Sequence, residues 1–303
     1  MPPQIQVFER GWLSSNNILL RQGALATLVD SGYVSHAAQT LQLVRSGLDG
    51  RRLQTLVNTH CHSDHMGGNA RLVREFGCTV VVPQGYAQIL HEWDEQALLL
   101  SSANQRADRF QPDACIGPGD ELEMGGLAWR TLAAPGHDMH ALMFYCAERR
   151  LLISGDALWN DGFGIQFATV LGTADALAAT RATLDAIARL DLQTVIPGHG
   201  PPFADVDAAL ARAFARADML AEDAERMARS ALRALFVFNL LEFRSLRRDD
   251  LPAYLAGVPI FRLLNDRYFR RSYDDLAAGL VRDLVRGGAI TVDGGLVAIA
   301  RAS

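Results

Sequence analysis

The chain contains no lysine; all 29 of its basic side chains are arginine. That absence removes Schiff-base and general-base lysine mechanisms, because a guanidinium keeps its proton at any working pH. Cysteine is scarce as well, with 4 in 303 residues. Cys61, Cys78, Cys115 and Cys146 are scattered and form no C-x-x-C pair, which points to free thiols in a reducing compartment and argues against a disulfide framework. Long apolar runs are missing too. Stretches such as Leu235 to Leu241 fall well short of the ~20 residues that cross a bilayer, and the start lacks the basic-then-apolar pattern of a signal peptide. The expectation is a cytoplasmic protein with no membrane partner. Nor is there a strong charge imbalance: a formal net charge of -5 is too mild to draw the whole protein to nucleic acid or anionic lipid, although a local basic patch stays open.

An apolar fraction of 49% allows a sizeable core, in one large domain or two smaller ones. From Ile5 to Asp30, short β-prone runs alternate with Gly and Asn punctuation, as in a β-meander. His36 to Gly47 has helical spacing, Leu53 to Val57 returns to strand, Asn69 to Phe76 reads as a helix stopped by Gly77, and Thr79 to Val82 is the next strand. The alternation predicts an α/β class. Pro83 to Asp113 reads as a helical insertion able to lid a site, with His91 as a surface or packing residue. Strand signals resume at Glu121 to Met124, Leu127 to Leu132, Ala141 to Cys146 and Leu151 to Ile153, then a helix over Ala174 to Arg189 and a short strand, Thr194 to Ile196.

Three of the eight histidines fall in one stretch, Thr59-His60-Cys61-His62-Ser63-Asp64-His65-Met66-Gly67-Gly68, directly after a strand. Imidazole nitrogen with carboxylate oxygen suits Zn2+ first and Fe or Mn next, and groups this close repel or stay poorly solvated without a cation between them. The ligand-type residues on either side turn the Cys61 side chain the other way, into the packing beneath. His137 in Pro135-Gly136-His137, Asp156 in Ser154-Gly155-Asp156 and His199 in Pro197-Gly198-His199-Gly200 each follow a further predicted strand. Four strand-end loops carrying ligand-type residues are what an α/β enzyme with its site at one sheet edge would show.

Those motifs in that order, H-x-H-x-D-H, P-G-H, S-G-D and P-G-H-G, resemble the metallo-β-lactamase-fold hydrolases over about residues 56 to 202. The resemblance implies a four-layer αββα sandwich with two facing mixed sheets and two divalent metal ions, Zn2+ first, Fe or Mn otherwise. It implies that His60, His62 and His137 hold one ion, Asp64, His65 and His199 the second, and that Asp156 bridges, with Asp64 and Asp156 as the catalytic carboxylates. Two ions carry +4; two carboxylates and a bridging hydroxide leave about +1, suited to an anionic substrate or developing oxyanion. The expected reaction is attack by metal-activated hydroxide on an ester, thioester or lactone of a small molecule, with no Ser or Cys nucleophile needed.

Family members that are true β-lactamases generally lack the Asp156 bridge, and glyoxalase-II-type thioesterases bind glutathione partly through lysine, which this chain does not have. A phosphodiesterase or nuclease, or a mononuclear iron persulfide dioxygenase with His199 idle, are the rival activities. His140 is expected to be structural, Asp30 to brace the loops, and the aromatics of Ala157 to Phe167 either to line a pocket or to belong to the core.

The last third looks added. Asp205 caps a long Ala/Arg/Glu-rich helix running to about Leu241, shorter helices follow, and Gly287 to Ile299 reads as a hairpin with an Asp-Gly turn. Helices before a terminal hairpin outline a winged-helix-like module. The division expected is a catalytic domain, 1–225, and a helical region, 226–303. Acidic residues interspersed with Arg262, Arg267, Arg270 and Arg271 favour packing or a homo-oligomer contact over nucleic-acid binding.

Overall fold

In the structure, a computed structural model that describes residues 1–300, two sheets face each other and helices cover both outer surfaces. The first half runs β1 (Ile5–Phe8), β2 (Asn17–Gln22), β3 (Leu25–Val29), α1 (Ala37–Leu48), β4 (Arg52–Val57), α2 (Ser63–Met66), α3 (Asn69–Phe76), β5 (Thr79–Pro83), α4 (Ala87–Glu92), α5 (Leu100–Ala103) and β6 (Ala114–Ile116). These strands form one sheet in sequence order, antiparallel to β3 and parallel from there on. The second half runs β7 (Glu121–Met124), β8 (Leu127–Ala133), β9 (Leu142–Cys146), β10 (Leu151–Gly155), α6 (Phe167–Leu171), α7 (Ala176–Ala188) and β11 (Thr194–Pro197). Its sheet order is β11-β10-β9-β8-β7, with only β10 and β11 parallel.

The period of two along a strand decides which layer each side chain joins. Ile18 and Leu20 enter the core between the sheets while Leu19 faces the α1–α3 layer; on β9, Leu142 and Phe144 point inward and Met143 and Tyr145 outward. Trp129, fully buried between the sheets, satisfies its indole by donating to the Met124 carbonyl at 3.0 Å. Loss of such a side chain costs on the order of 3–5 kcal/mol.

The remaining elements are α8 (Val206–Glu222), α9 (Ala224–Phe243), β12 (Ser245–Arg247), α10 (Leu251–Gly257), α11 (Pro259–Leu264), α12 (Tyr273–Arg286), β13 (Ile290–Asp293) and β14 (Leu296–Ile299). The single long helix expected from Asp205 is therefore two. Asp223 adopts extended backbone and caps α9, accepting from the Arg226 amide at 2.9 Å, as Asp205 accepts from Ala208 for α8. The terminal hairpin is present, but its turn positions are Gly294 and Gly295, both left-handed, because Asp293 still pairs with Leu296. Helices before a terminal hairpin are present as expected; β12, a strand not expected from the sequence, joins the hairpin in a small sheet, β12-β14-β13. Buried residues of α8 to α12, such as Leu210, Phe236 and Phe261, share one cluster with Tyr145, Leu152 and Val195 on the outer face of the second sheet.

Residues 83–113 are less helical than expected: only α4 and α5 form, since Trp93, Leu99 and Asn104 take left-handed backbone and break the run. Among the described residues, no helix is long and apolar enough to cross a membrane.

Candidate metal centre

Five strands deliver residues to one edge of the sandwich from their C-terminal ends. Asp30 follows β3, His60 to His65 follow β4, His137 follows β8, Asp156 follows β10 and His199 follows β11. Glycines let the loops approach. A Cβ on Gly198 would sit 2.2 Å from the Asp156 carboxylate, and one on Gly67 would sit 2.5 Å from the Val34 amide nitrogen, so a larger residue at either position would push two site loops apart. The β1–β2 loop ties them from the other side: the Ser15 amide donates to the Asp64 carbonyl at 2.9 Å, and the Asn16 side chain donates to the Pro197 and Gly200 carbonyls at 3.0 and 2.7 Å.

All seven residues expected at the site are buried and come together. Their ligand-type atoms form three overlapping trios, each within 4.8 Å: His60, His62 and His137; Asp64, His65 and His199; and His60, His65 and Asp156. The Asp156 carboxylate stands between the first two, 3.5 Å from His137 Nε2 and 3.4 Å from His65 Nε2. His62 Nδ1 faces His137 Nε2 at 2.8 Å, and His199 Nε2 faces Asp64 Oδ2 at 3.0 Å.

On His65, His60 and His137 the outer nitrogen is tied to protein, which aims the inner one. His65 Nδ1 donates to Asp30 Oδ2 at 2.8 Å, His60 Nδ1 meets Thr59 Oγ1 at 3.1 Å, and His137 Nδ1 donates to the Ile165 carbonyl. Thr59 in turn donates from its hydroxyl and amide to Asp30, at 2.8 and 2.9 Å. Asp30 thus braces the loops, as its strand-end position suggests, and it does so from left-handed backbone. The inner nitrogens His60 Nε2 and His65 Nε2 are buried with no hydrogen-bond partner. Unpartnered ring nitrogens converging with carboxylates in a dry site fit a divalent cation.

Burial holds the His62 imidazole down at about 4 and the His60 imidazole well below its ordinary range, so both are neutral and can donate a lone pair. Burial acts upward on Asp156 and Asp64, yet the facing imidazoles, His65 first, outweigh it and keep both carboxyls below their ordinary values.

Above the cluster opens an apolar pocket. Trp12 stacks on His199 at 5.5 Å between ring centroids while staying 58% exposed, Trp159 meets the same ring edge-on at 5.2 Å, and Phe167 packs at 5.2 Å on His62. Phe238 of α9 and Leu98 and Leu99 from the segment before α5 complete the walls. The loop after Asp156 divides its aromatics: Trp159 and Phe167 line the pocket, whereas Phe163 is core. Leu98 and Leu99 belong to the 83–113 segment expected to be able to lid the site, whereas Trp12 and Phe238 carry no motif and nothing in their spacing singles them out. Asp138 is another residue without a sequence signal; it accepts from the Tyr86 hydroxyl at 2.6 Å and lies 3.7 Å from His62 Nε2. His140 stays outside the cluster, packed on Gly85 and Tyr86; His91 is exposed, and Cys61 is buried under the loop.

Fold and site together define an αββα sandwich with a histidine–aspartate centre at the shared sheet edge. A sequence profile of the metallo-beta-lactamase superfamily matches residues 10–199, and the chain belongs to that superfamily. Among curated relatives it is similar to a hydroxyacylglutathione hydrolase of Idiomarina loihiensis, 29% identical over 140 residues, which is 46% of this chain and 44% of the relative. One from Acidiphilium cryptum is 29% identical over 182 residues, 60% of this chain and 62% of the relative. The chain thus spans less than two thirds of the length of these relatives, 44% and 62%. Over 99% of both chains it superposes on a metallo-beta-lactamase family protein from Thermus thermophilus with a TM-score of 0.54 and 22% identity, a likeness that speaks to the fold alone.

Proposed function

We propose that the protein is a hydrolase dependent on two divalent metal ions, zinc first, that cleaves an ester, thioester or lactone of a small molecule with an apolar portion. The observation that carries this reading is the set of interlocking buried trios, with the outer nitrogens of His60, His65 and His137 tied down, beneath an apolar pocket that His62, Asp64, His137, Asp156 and His199 help to line. In it, His60, His62 and His137 would hold one ion and Asp64, His65 and His199 the other, with the Asp156 carboxylate standing between the two sets. When bound, the ions supply activated water near neutral pH and an electrophilic centre for the scissile bond. The chain's own residues do the rest. Asp30 and Thr59 hold the ring protons away from the site on His65 and His60, so those rings present lone pairs inward. Trp12, Trp159, Phe167 and Phe238 receive the apolar part of the substrate and exclude bulk water. Hydroxyacylglutathione hydrolases among the relatives support a thioester, while the absence of lysine argues against glutathione itself. Residues 1–225 form the catalytic unit in this reading, and 226–303 add the helical region. The test is a panel of thioester, lactone, phosphodiester and β-lactam substrates on zinc-, manganese- and iron-reconstituted protein. Turnover confined to phosphodiesters, or fewer than two equivalents of metal after reconstitution, would overturn it.

A further inference from the structure

The pocket over the cluster continues past Trp12 and Phe238. Arg216 on α8, with Ser230 and Ala234 on α9, lines that pocket and also a second cavity of about 700 Å³ between α8, α9, α12 and β14. Among the described residues, four arginines line the second cavity, Arg216, Arg226, Arg229 and Arg233, and no Asp or Glu does, in a chain whose formal net charge is -5. Two of the four are held by acids outside the lining: Arg229 pairs with Glu225 at 2.5 Å and Arg233 with Asp283 at 3.3 Å. Arg216 and Arg226 have no carboxylate within ion-pair distance among the described residues, and neither guanidinium makes a hydrogen bond there.

Arg216 is also built in. Its guanidinium lies 5.0 Å from the Phe163 ring centroid, and Gly162, in backbone that only glycine adopts readily, closes over it so tightly that a Cβ would come within 2.9 Å of Nη1. Burial lowers the Arg216 pKa, the mark of a cation losing water without gaining an anion. The Nε of Arg233 is a further buried donor without an acceptor. Desolvated guanidinium donors of this kind are costly to leave unpaired and match the oxygens of an anion in a planar fork.

We infer that this groove is an anion subsite of the active site. The substrate hydrolysed at the metal centre carries a carboxylate or phosphate, separated from the scissile carbonyl by a segment that passes Trp12 and Phe238, and this anion pairs with Arg216 and Arg226. The inference rests on the hydrolase reading for its chemistry. That Arg216 lines both cavities is what joins anion and reacting group in one molecule.

The test uses the metal-reconstituted full chain and hexanoyl thioesters of three thiols: neutral N-acetylcysteamine, the carboxylate N-succinylcysteamine and the phosphate phosphopantetheine. The expected result is a kcat/KM at least tenfold higher for one anionic thioester, carried mainly by KM and eroded by salt, with the carboxylate and phosphate arms telling which anion fits. Arg216→Met, which keeps an apolar stem on Phe163, and Arg226→Gln, a change at an exposed position, should each bring that ratio towards one. A ratio near one in the unaltered protein, or one that survives both substitutions, would overturn the inference. Calorimetric titration with the free thiols needs no turnover. If no thioester is cleaved, the hydrolase reading fails, yet the favoured anionic thiol must still bind at least tenfold more tightly than N-acetylcysteamine; equal binding would sink the subsite by itself.

Discussion

At the metal cluster, most polar atoms are tethered: Asp30 holds Thr59 and His65, Thr59 holds His60, and Asp156 stands between two imidazoles. In the adjoining groove the situation reverses, because Arg216 and Arg226 are charged groups to which the described residues supply no carboxylate. Both arrangements leave something unsatisfied, but in different places. The cluster leaves inner lone pairs, which select a cation; the groove leaves cationic donors, which select an anion. An enzyme that must fix its catalyst and exchange its substrate would show this division, with rigid preorganisation around the first and an open, unpaired edge facing the second.

Breaking the tethered side should give the largest effects. His62→Ala removes a ligand from the first trio and is expected to lower hydrolysis on the order of a thousandfold while reducing bound metal, read by elemental analysis beside kinetics. Undiminished turnover would contradict the assignment.

Acid comes next. The His62 pKa is about 4 in the folded protein against an ordinary 6.5, so the unfolded chain takes up protons first as pH falls. Its contribution is fully present above about pH 6.5 and lost on the way down to 4, on the order of 3 kcal/mol, with His60 acting in the same direction. His65, where the facing carboxylates outweigh burial and raise the pKa well above its ordinary value, acts the other way between about pH 7 and 6. There the folded protein already holds a proton that the unfolded chain is still taking up, so His65 offsets part of the loss without reversing it. Urea midpoints of metal-free protein should therefore fall between pH 7 and 4.5; a rise would contradict the sign.

Asp30→Asn keeps the shape but releases His65 and Thr59, and is expected to weaken metal affinity by about 10–100-fold, measured by competition with a chelator. Trp12→Ala touches the boundary between the two regions and should raise KM by up to about tenfold with a smaller change in kcat, since it removes binding shared by ground and transition states.

How far sequence carries differs between the same two regions. A metal site demands rare residue types at strand ends, so His60 to His65, His137, Asp156 and His199 stand out by chemistry alone, and alternating strands and helices foretell the αββα layers. Trp12 and Phe238 do not stand out, because a pocket wall needs only an apolar surface at the right place, and the chain is 49% hydrophobic. Arg216 looks like one more arginine on an exposed helix; its meaning comes from Gly162, Phe163 and the missing acid, which meet only in three dimensions. The break at Asp223 was hidden because an acid suits a helix start as well as a helix surface. The hairpin turn slipped by one residue because Asp293-Gly294 and Gly294-Gly295 are both good turn pairs, and only the register of Asp293 with Leu296 chooses between them.

Helix α9 belongs to three neighbourhoods at once. Phe238 walls the catalytic pocket, Arg226 and Arg233 line the groove, and Leu235 and Phe236 sit in the core shared with the small terminal sheet. A recombination event or an engineered graft that exchanged everything beyond Asp223 would leave the ligand set, Trp12 and Arg216 intact and replace the α9 and α12 walls of the chamber beside them. Part of the selectivity in this lineage would then travel as cargo on the tail, free to diversify while the centre that cuts the bond stays the same.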